Sequence, residues 1–364
     1  MREPEALQQV DRTYVRFRGR KLCYFSGCDY FRLASHPEVV SALVQGVKKY
    51  GLNVAASRLT TGNHLLYRQL EQRLAEFFGA PAALLISSGY MTDIAVTQTL
   101  AGNFSHALID AESHPAVSDA ARFLDCPVLQ FKHRSAEDLT RTVRRCGAGA
   151  RLLLLTEGLF ARDGGVAPLA EYMRRLPKDA WLLVDDAHGG GVLGHTGRGS
   201  LEFAGVSRAR IIQTITLSKA FGAYGGAILG NADLRRKIIN KSRLFVGSTP
   251  LPLPLASAAL RSIEILKSDR LLRKRLEANV SYVRKRLANS RVALGEVPGP
   301  IIVVIPPDAR QASQLKIKLL QAGIWPSFIR YPTGPDSGYF RFVISSEHTC
   351  DQLNALIDVL AAHS

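Results

Sequence analysis

Seven short apolar runs alternate with segments of helical length, and this alternation restricts the fold of the 364-residue chain more than any other feature. The runs are Ala83–Ser87, His106–Asp110, Val128–Phe131, Leu152–Thr156, Ala180–Asp185, Ile211–Thr216 and Gly226–Leu229. Strands that are apolar throughout are buried on both faces, and strands separated by helices pair in parallel through crossovers. The expected fold is therefore α/β: a mostly parallel seven-stranded sheet with helices on both faces. Ligands bind such sheets beyond the carboxyl ends of the strands.

The remaining segments fill out this plan. Tyr14–Lys21 and Cys23–Phe25 read as an N-terminal strand pair. Helices are expected at His36–Tyr50, with Val40, Leu43, Val44 and Val47 on one buried face, and at Gly62–Phe78. Three prolines in Gly247–Pro254 break regular structure and suggest a boundary. Beyond them come helices Leu255–Lys267 and Leu271–Leu287, strand Pro300–Ile305, helix Ala312–Ala322, strand Tyr339–Ser345 and helix Cys350–Ala361. Thr349 with Gln352 forms a capping box for the last helix. The domains expected are an N-terminal arm over residues 1–40, a large domain over 41–248 and a smaller α+β domain over 249–364.

Composition narrows the function classes. Hydrophobic residues make up 46% of the chain, yet no apolar run reaches the ~20 residues of a membrane span. Met1–Arg20 holds no apolar signal core. Five scattered cysteines without a CxxC pair fit a reducing cytoplasm and no structural zinc. Net charge is +16, from 47 basic against 31 acidic residues. Spread over helix faces, this charge reads either as solvation or as attraction for an anionic ligand.

The chemistry concentrates at strand ends. The strand Ile211–Thr216 runs into Thr-Leu-Ser-Lys, which places Lys219 on an exposed turn among small residues and hydroxyls. A desolvated lysine amine there can lose its proton and attack a carbonyl. Asp185 ends another apolar strand, where a carboxylate needs a cationic partner, and His188 follows three residues on. An aspartate under a protonated pyridine nitrogen and a histidine near a phenolic oxygen are what a pyridinium cofactor requires. Ser88, Gly89 and Tyr90 open a helix after a strand, a setting that suits a phosphate, and Thr216 and Ser218 can add hydroxyl donors. His114, at the start of a helix over Pro115–Leu124, can present its ring to an aromatic cofactor, and Glu157 lies at a strand end beside these groups.

With these residues in view, the chain resembles the α-oxoamine synthases, pyridoxal-phosphate enzymes of the aspartate-aminotransferase fold that join an amino acid to an acyl thioester. The most specific pieces are TEGLFARDGGVAPLAE, VDDAHGGGVLGHTGRGS and TLSKAFGAYGG. The likeness runs from Phe25 to Thr349 and is nearest to 8-amino-7-oxononanoate synthase and 2-amino-3-ketobutyrate CoA ligase. It implies that Lys219 holds pyridoxal 5'-phosphate and moves the Cα proton. Asp185 would pair with the pyridinium, His188 would contact the phenolic oxygen and His114 would stack on the ring. Gly89, Tyr90 and Thr216 would hold the phosphate, with Thr249 reaching the phosphate of a second subunit. Arg341 would bind the substrate carboxylate, with Cys28 and Arg58 in the substrate shell.

The substrate shell departs from the family pattern. Cys28 stands where an asparagine is usual, Tyr67 where a histidine is common, and Ala161 where a serine is usual. The glycine-rich run before Ser57-Arg58 is missing. The resemblance therefore implies a homodimeric, decarboxylating acyltransferase that uses coenzyme A or a carrier-protein thioester. The alternatives are a glycine C-acetyltransferase, a class I/II aminotransferase, or a non-catalytic binding protein with the cofactor fold. Nothing resembles an appended nucleic-acid module, so neither nucleic acid nor membrane is expected as a partner.

Overall fold

The computed structural model describes residues 5–288, 290, 292, 298–330 and 337–363. The first four residues of the expected N-terminal arm lie outside the described residues. In chain order the strands are β1 (Gln8–Gln9), β2 (Tyr14–Phe17), β3 (Arg20–Cys23), β4 (Ala82–Ile86), β5 (His106–Asp110), β6 (Val128–Phe131) and β7 (Leu152–Glu157). They continue with β8 (Trp181–Asp185), β9 (Ile211–Thr216), β10 (Gly226–Gly230), β11 (Ile301–Val304), β12 (Phe328–Ile329) and β13 (Tyr339–Val343). No helix among the described residues is long and apolar enough to cross a membrane.

The chain forms two compact units. One comprises His36–Arg162 and Val166–Asp269 and contains the seven-stranded sheet, ordered β4-β10-β9-β8-β7-β5-β6. β5 to β9 run parallel, and β10 is antiparallel to both its neighbours, so the sheet is mostly parallel as expected. Alternation along β7 shows why these strands read as unbroken apolar runs. Leu153 and Leu155 join Ile109, Leu183 and Ile212 on one face, against Ala95, Val96 and Val117. Leu152 and Leu154 join Leu182 and Val184 on the other, against Leu139, Leu169 and Tyr172. Each such leucine contributes about 1.5–3 kcal/mol by leaving water.

Helix Pro37–Tyr50 corrects the sequence reading. Val40, Val44 and Val47 are about 40% exposed, whereas Val39 and Gly46 are buried. A Cβ on Gly46 would come 2.8 Å from the Pro254 Cα. The missing side chain thus lets helix Leu253–Ser268 pack closely, and the valine stripe faces away from it. That same packing moves the expected boundary at 248/249. Helix Leu253–Ser268 belongs to the sheet unit, which ends at Asp269.

The other unit comprises Met1–Ser35, Asp163–Gly165 and Arg270–Ser364, so the N-terminal arm is not separate from the C-terminal segment. Cys23 accepts from the Trp325 amide at 2.9 Å and donates to the Gly323 carbonyl at 2.7 Å. The Val343 amide donates to Phe25 at 2.7 Å. β11, β13 and β12 form an antiparallel sheet in that order. The capping box is present: Thr349 Oγ1 accepts from the Gln352 amide at 3.3 Å, and Gln352 Oε1 accepts from the Thr349 amide at 2.9 Å.

Candidate active site

Parallel pairing brings the carboxyl ends of β7, β8 and β9 side by side. Glu157 lies opposite Asp185 in register, and Asp185 lies opposite Thr214. Lys219 follows three residues after the end of β9, and its Nζ stands 2.8 Å from Nε2 of His188. His188 is buried and Lys219 half-buried, which is the partly dry setting that lysine chemistry needs.

An acid cluster surrounds this pair. Asp185 accepts from the Ala187 amide at 3.0 Å. Glu157 accepts from the amides of His114 (2.8 Å) and Ala161 (3.2 Å). Burial and then the neighbouring Asp185 push the Glu157 carboxyl up to about 8, against the opposing effects of those amides and of Lys219. Three carboxylates, Asp93, Asp185 and Glu157, therefore press on one another in a nearly water-free space. Such a cluster is stable only with protons or cations among it.

The start of helix Tyr90–Leu100 lies against the end of β9. A Cβ on Gly89 would come 2.6 Å from both Cβ and Oγ1 of Thr216, so only glycine allows this approach. Thr216 Oγ1 accepts from the Ser218 amide at 3.2 Å. Ser88, Gly89, Thr216 and Ser218 thus meet where helix-end amides and hydroxyls suit a phosphate. Tyr90 is turned outward, donating its hydroxyl to Asp119 at 2.5 Å. The exposed His114 caps helix Pro115–Ala121, with Nδ1 accepting from the Ala116 amide at 3.2 Å.

The other expected residues are placed differently. Arg58 is buried and donates to Glu71 at 2.5 Å and to Asn63 at 3.1 Å, with Tyr67 and Phe245 against its guanidinium. Arg58, Asn63, Glu71 and Phe245 line, with Arg235, a cavity of about 610 Å³. Tyr67 is buried, its hydroxyl donating to the Leu251 carbonyl at 2.6 Å. Thr249 is exposed, just after helix Arg243–Gly247. Cys28 and Arg341 belong to the other compact unit, where Arg341 is half-buried on β13.

Sequence reasoning overlooked Asp93 and Asp186. Asp186 is fully buried and accepts from the Ser200 amide (2.8 Å) and Gln213 Nε2 (2.6 Å), so of the Asp-Asp pair it ties loops together while Asp185 faces the lysine cluster. The signal for Asp93 was its spacing: it shares the buried face of helix Tyr90–Leu100 with Val96 and Leu100, three and seven residues on.

A strand-end aspartate within an acid cluster, a lysine–histidine pair and a glycine-lined cradle fit a phosphorylated pyridine aldehyde. The chain belongs to the aminotransferase class I and II family, whose profile matches residues 28–360, and within it to the α-oxoamine synthases. An 8-amino-7-oxononanoate synthase from Thioalkalivibrio sulfidiphilus (strain HL-EbGR7) is 36% identical over 94% of this chain and 88% of its own length. A serine palmitoyltransferase structure from Sphingomonas wittichii superposes with a TM-score of 0.93 at 29% identity, covering 100% of this chain and 92% of that one. Another, described as SPT with PLP internal aldimine, gives 0.92 at 28%, covering 98% and 92%.

Proposed function

We propose that this chain is a pyridoxal-phosphate-dependent C-acyltransferase that condenses an amino acid with an acyl thioester, in the manner of an 8-amino-7-oxononanoate synthase. The observation that carries this reading is the Lys219–His188 pair beside Asp185 at the carboxyl edge of the sheet. The length of the match to named synthases supports it. When bound, pyridoxal phosphate supplies a carbonyl for amines and an electron sink for carbanion chemistry. The chain's own residues do the rest. Lys219 takes and returns the proton at the amino acid's Cα, and His188 fixes its amine in place. Asp185 holds the protonated ring nitrogen. Gly89, Thr216 and Ser218 bind the phosphate, with Tyr90 at the helix start. His114 would stack on the ring, and Arg341 would bind the substrate carboxylate. Cys28 would border that carboxylate, while Arg58 is paired with Glu71 within the sheet unit.

The partner proposed for the sheet unit is a second copy. Val40, Val44 and Val47 form an exposed apolar stripe at i, i+4 and i+7, and the exposed Leu52 and Leu59 follow in the next loop. A stripe of this kind calls for a protein face to cover it. In such a dimer the exposed Thr249 would reach the partner's phosphate site. Five free cysteines favour a reducing, cytoplasmic setting.

The reaction is tested by combining alanine, serine and glycine with acyl thioesters of graded length and scoring free thiol. Thiol release that needs one amino acid and one thioester is the expected result. Amino transfer to a 2-oxo acid without thioester would make the chain an aminotransferase instead. Sedimentation tests the dimer, which Val44→Glu should split.

A further inference from the structure

Asp93 projects from the first turn of helix Tyr90–Leu100 into the site and is entirely buried. The Thr214 hydroxyl donates to its Oδ1 at 2.6 Å, so that oxygen is an acceptor. Its Oδ2 is buried and has no donor among the described residues. Asp185 lies opposite Thr214 in register, so its carboxylate leaves the sheet on the same face as the hydroxyl that holds Asp93, and Glu157 sets a second acid beside it. Within this cluster Lys219 acts on Glu157.

Two carboxylates within reach of one another cannot both be charged at such depth without a large penalty. One proton resolves the conflict, and its place follows from the surroundings. Asp185 is half-buried and bonded to the Ala187 amide, which favours the anion. Asp93 is fully enclosed and, among the described residues, has the Thr214 hydroxyl as its single donor, which favours the neutral acid. Burial, and next the charge of Asp185, raise the Asp93 carboxyl well above its ordinary range.

We propose that Asp93 is a positioning residue: as the neutral acid it donates a hydrogen bond to Asp185 and holds that carboxylate, as the anion, toward the ring nitrogen of the cofactor. Thr214 orients Asp93 by occupying its acceptor oxygen. The chain of donors then runs from Thr214 to Asp93 to Asp185, and each member has one role. This inference rests on the pyridoxal-phosphate reading and adds to it the group that orients the aspartate.

The test compares Asp93→Asn, Asp93→Leu and Asp93→Ser in protein loaded with ¹⁵N-labelled pyridoxal phosphate. The readouts are the ring-nitrogen chemical shift and the cofactor dissociation constant. Asn keeps one donor and one acceptor, so it should retain the protonated-nitrogen shift and bind within threefold of the parent. Leu has about the same size but no donor, and Ser is too short to reach Asp185. Both should move the resonance toward the unprotonated value and weaken binding at least tenfold. Because Ser is small, it keeps the test open if the Leu variant does not fold. An unmoved nitrogen shift in a folded Leu or Ser variant would overturn the proposal, as would an Asn variant as defective as either. Failure of the underlying reading looks different: the parent protein would take up no cofactor.

Discussion

Nζ of Lys219 and Nε2 of His188 are 2.8 Å apart, and the histidine is buried while the lysine is half-buried. The imidazole restrains an amine that otherwise swings on a four-carbon stem. His188→Ala should therefore slow exchange of the amino acid's Cα hydrogen with D₂O by about 10–100-fold, the cost of a misplaced reacting group. Lys219→Ala should abolish it. Proton NMR of the amino acid without thioester reads both. Exchange at the parental rate in His188→Ala would remove His188 from this role.

A second carboxylate holds the region before the site. Glu71 receives Arg58 at 2.5 Å, Arg235 at 3.0 Å and the Leu85 amide at 3.1 Å. Both side chains of the Arg58–Glu71 pair are only 5% exposed. Glu71→Ala leaves the Arg58 charge buried without its counter-charge and should cost about 3–5 kcal/mol. Urea unfolding of the parent and variant measures this. A loss below 1 kcal/mol would mean that water reaches Arg58 and solvates it.

The sheet was legible because fully buried parallel strands leave short apolar runs bounded by polar residues; β5, β6 and β9 match their expected limits residue for residue. The lysine and Asp185 were legible because the chemistry-bearing residues stand at the ends of those runs. Other features depend on neighbours that periodicity cannot reveal. The valine stripe of Pro37–Tyr50 read as core, yet Gly46 sets the packing face. Helices Ala136–Arg145 and Ala232–Lys241 carry few apolar residues, and the pairs Leu139/Val143 and Leu234/Ile238, four residues apart, were passed over among the charges. Asp93 was passed over despite its spacing with Val96 and Leu100, because a carboxylate on a helix is ordinarily solvated.

Acid should act on the other unit through His348. Its Nδ1 accepts from the Ser345 amide at 3.0 Å, and its Nε2 lies 3.2 Å from the Tyr24 carbonyl, to which it donates in the matching neutral tautomer. Burial, and secondarily Arg32, push the imidazole down to about 3. Below the ordinary histidine value the unfolded chain binds a proton that the folded one refuses. This contribution is fully present above pH ~6.5 and is lost as pH falls toward 3, with a slope of up to about 1.4 kcal/mol per pH unit. Unfolding midpoints between pH 7 and 4 should show it, and His348→Gln should flatten that part of the profile. An unchanged slope in the variant would assign the acid sensitivity to other groups.

Arg341 supplies the last test, because its role as carboxylate anchor is a proposal about substrate rather than fold. It occupies the middle of β13, paired opposite Val303, with its amide donating to the Ser327 carbonyl at 2.9 Å. Phe340 and Phe342 are fully buried, and Arg341 between them is half-buried, as strand alternation requires. The backbone is thus fixed by its neighbours and by the phenylalanine face, and a lysine at this position keeps the positive charge. A planar guanidinium meets a carboxylate through two parallel hydrogen bonds, whereas an ammonium offers a point charge. Arg341→Lys should weaken amino-acid binding by about 1.5–3 kcal/mol, roughly ten- to a hundredfold, the range for a hydrogen bond between charged groups. Cofactor uptake should not change, since Lys219, Asp185 and Thr216 are kept. Titrating the bound cofactor's absorbance with amino acid measures the affinity directly. Equal affinity in a folded, cofactor-loaded Arg341→Lys protein would move the carboxylate site elsewhere, and Cys28→Asn would then be the variant to compare.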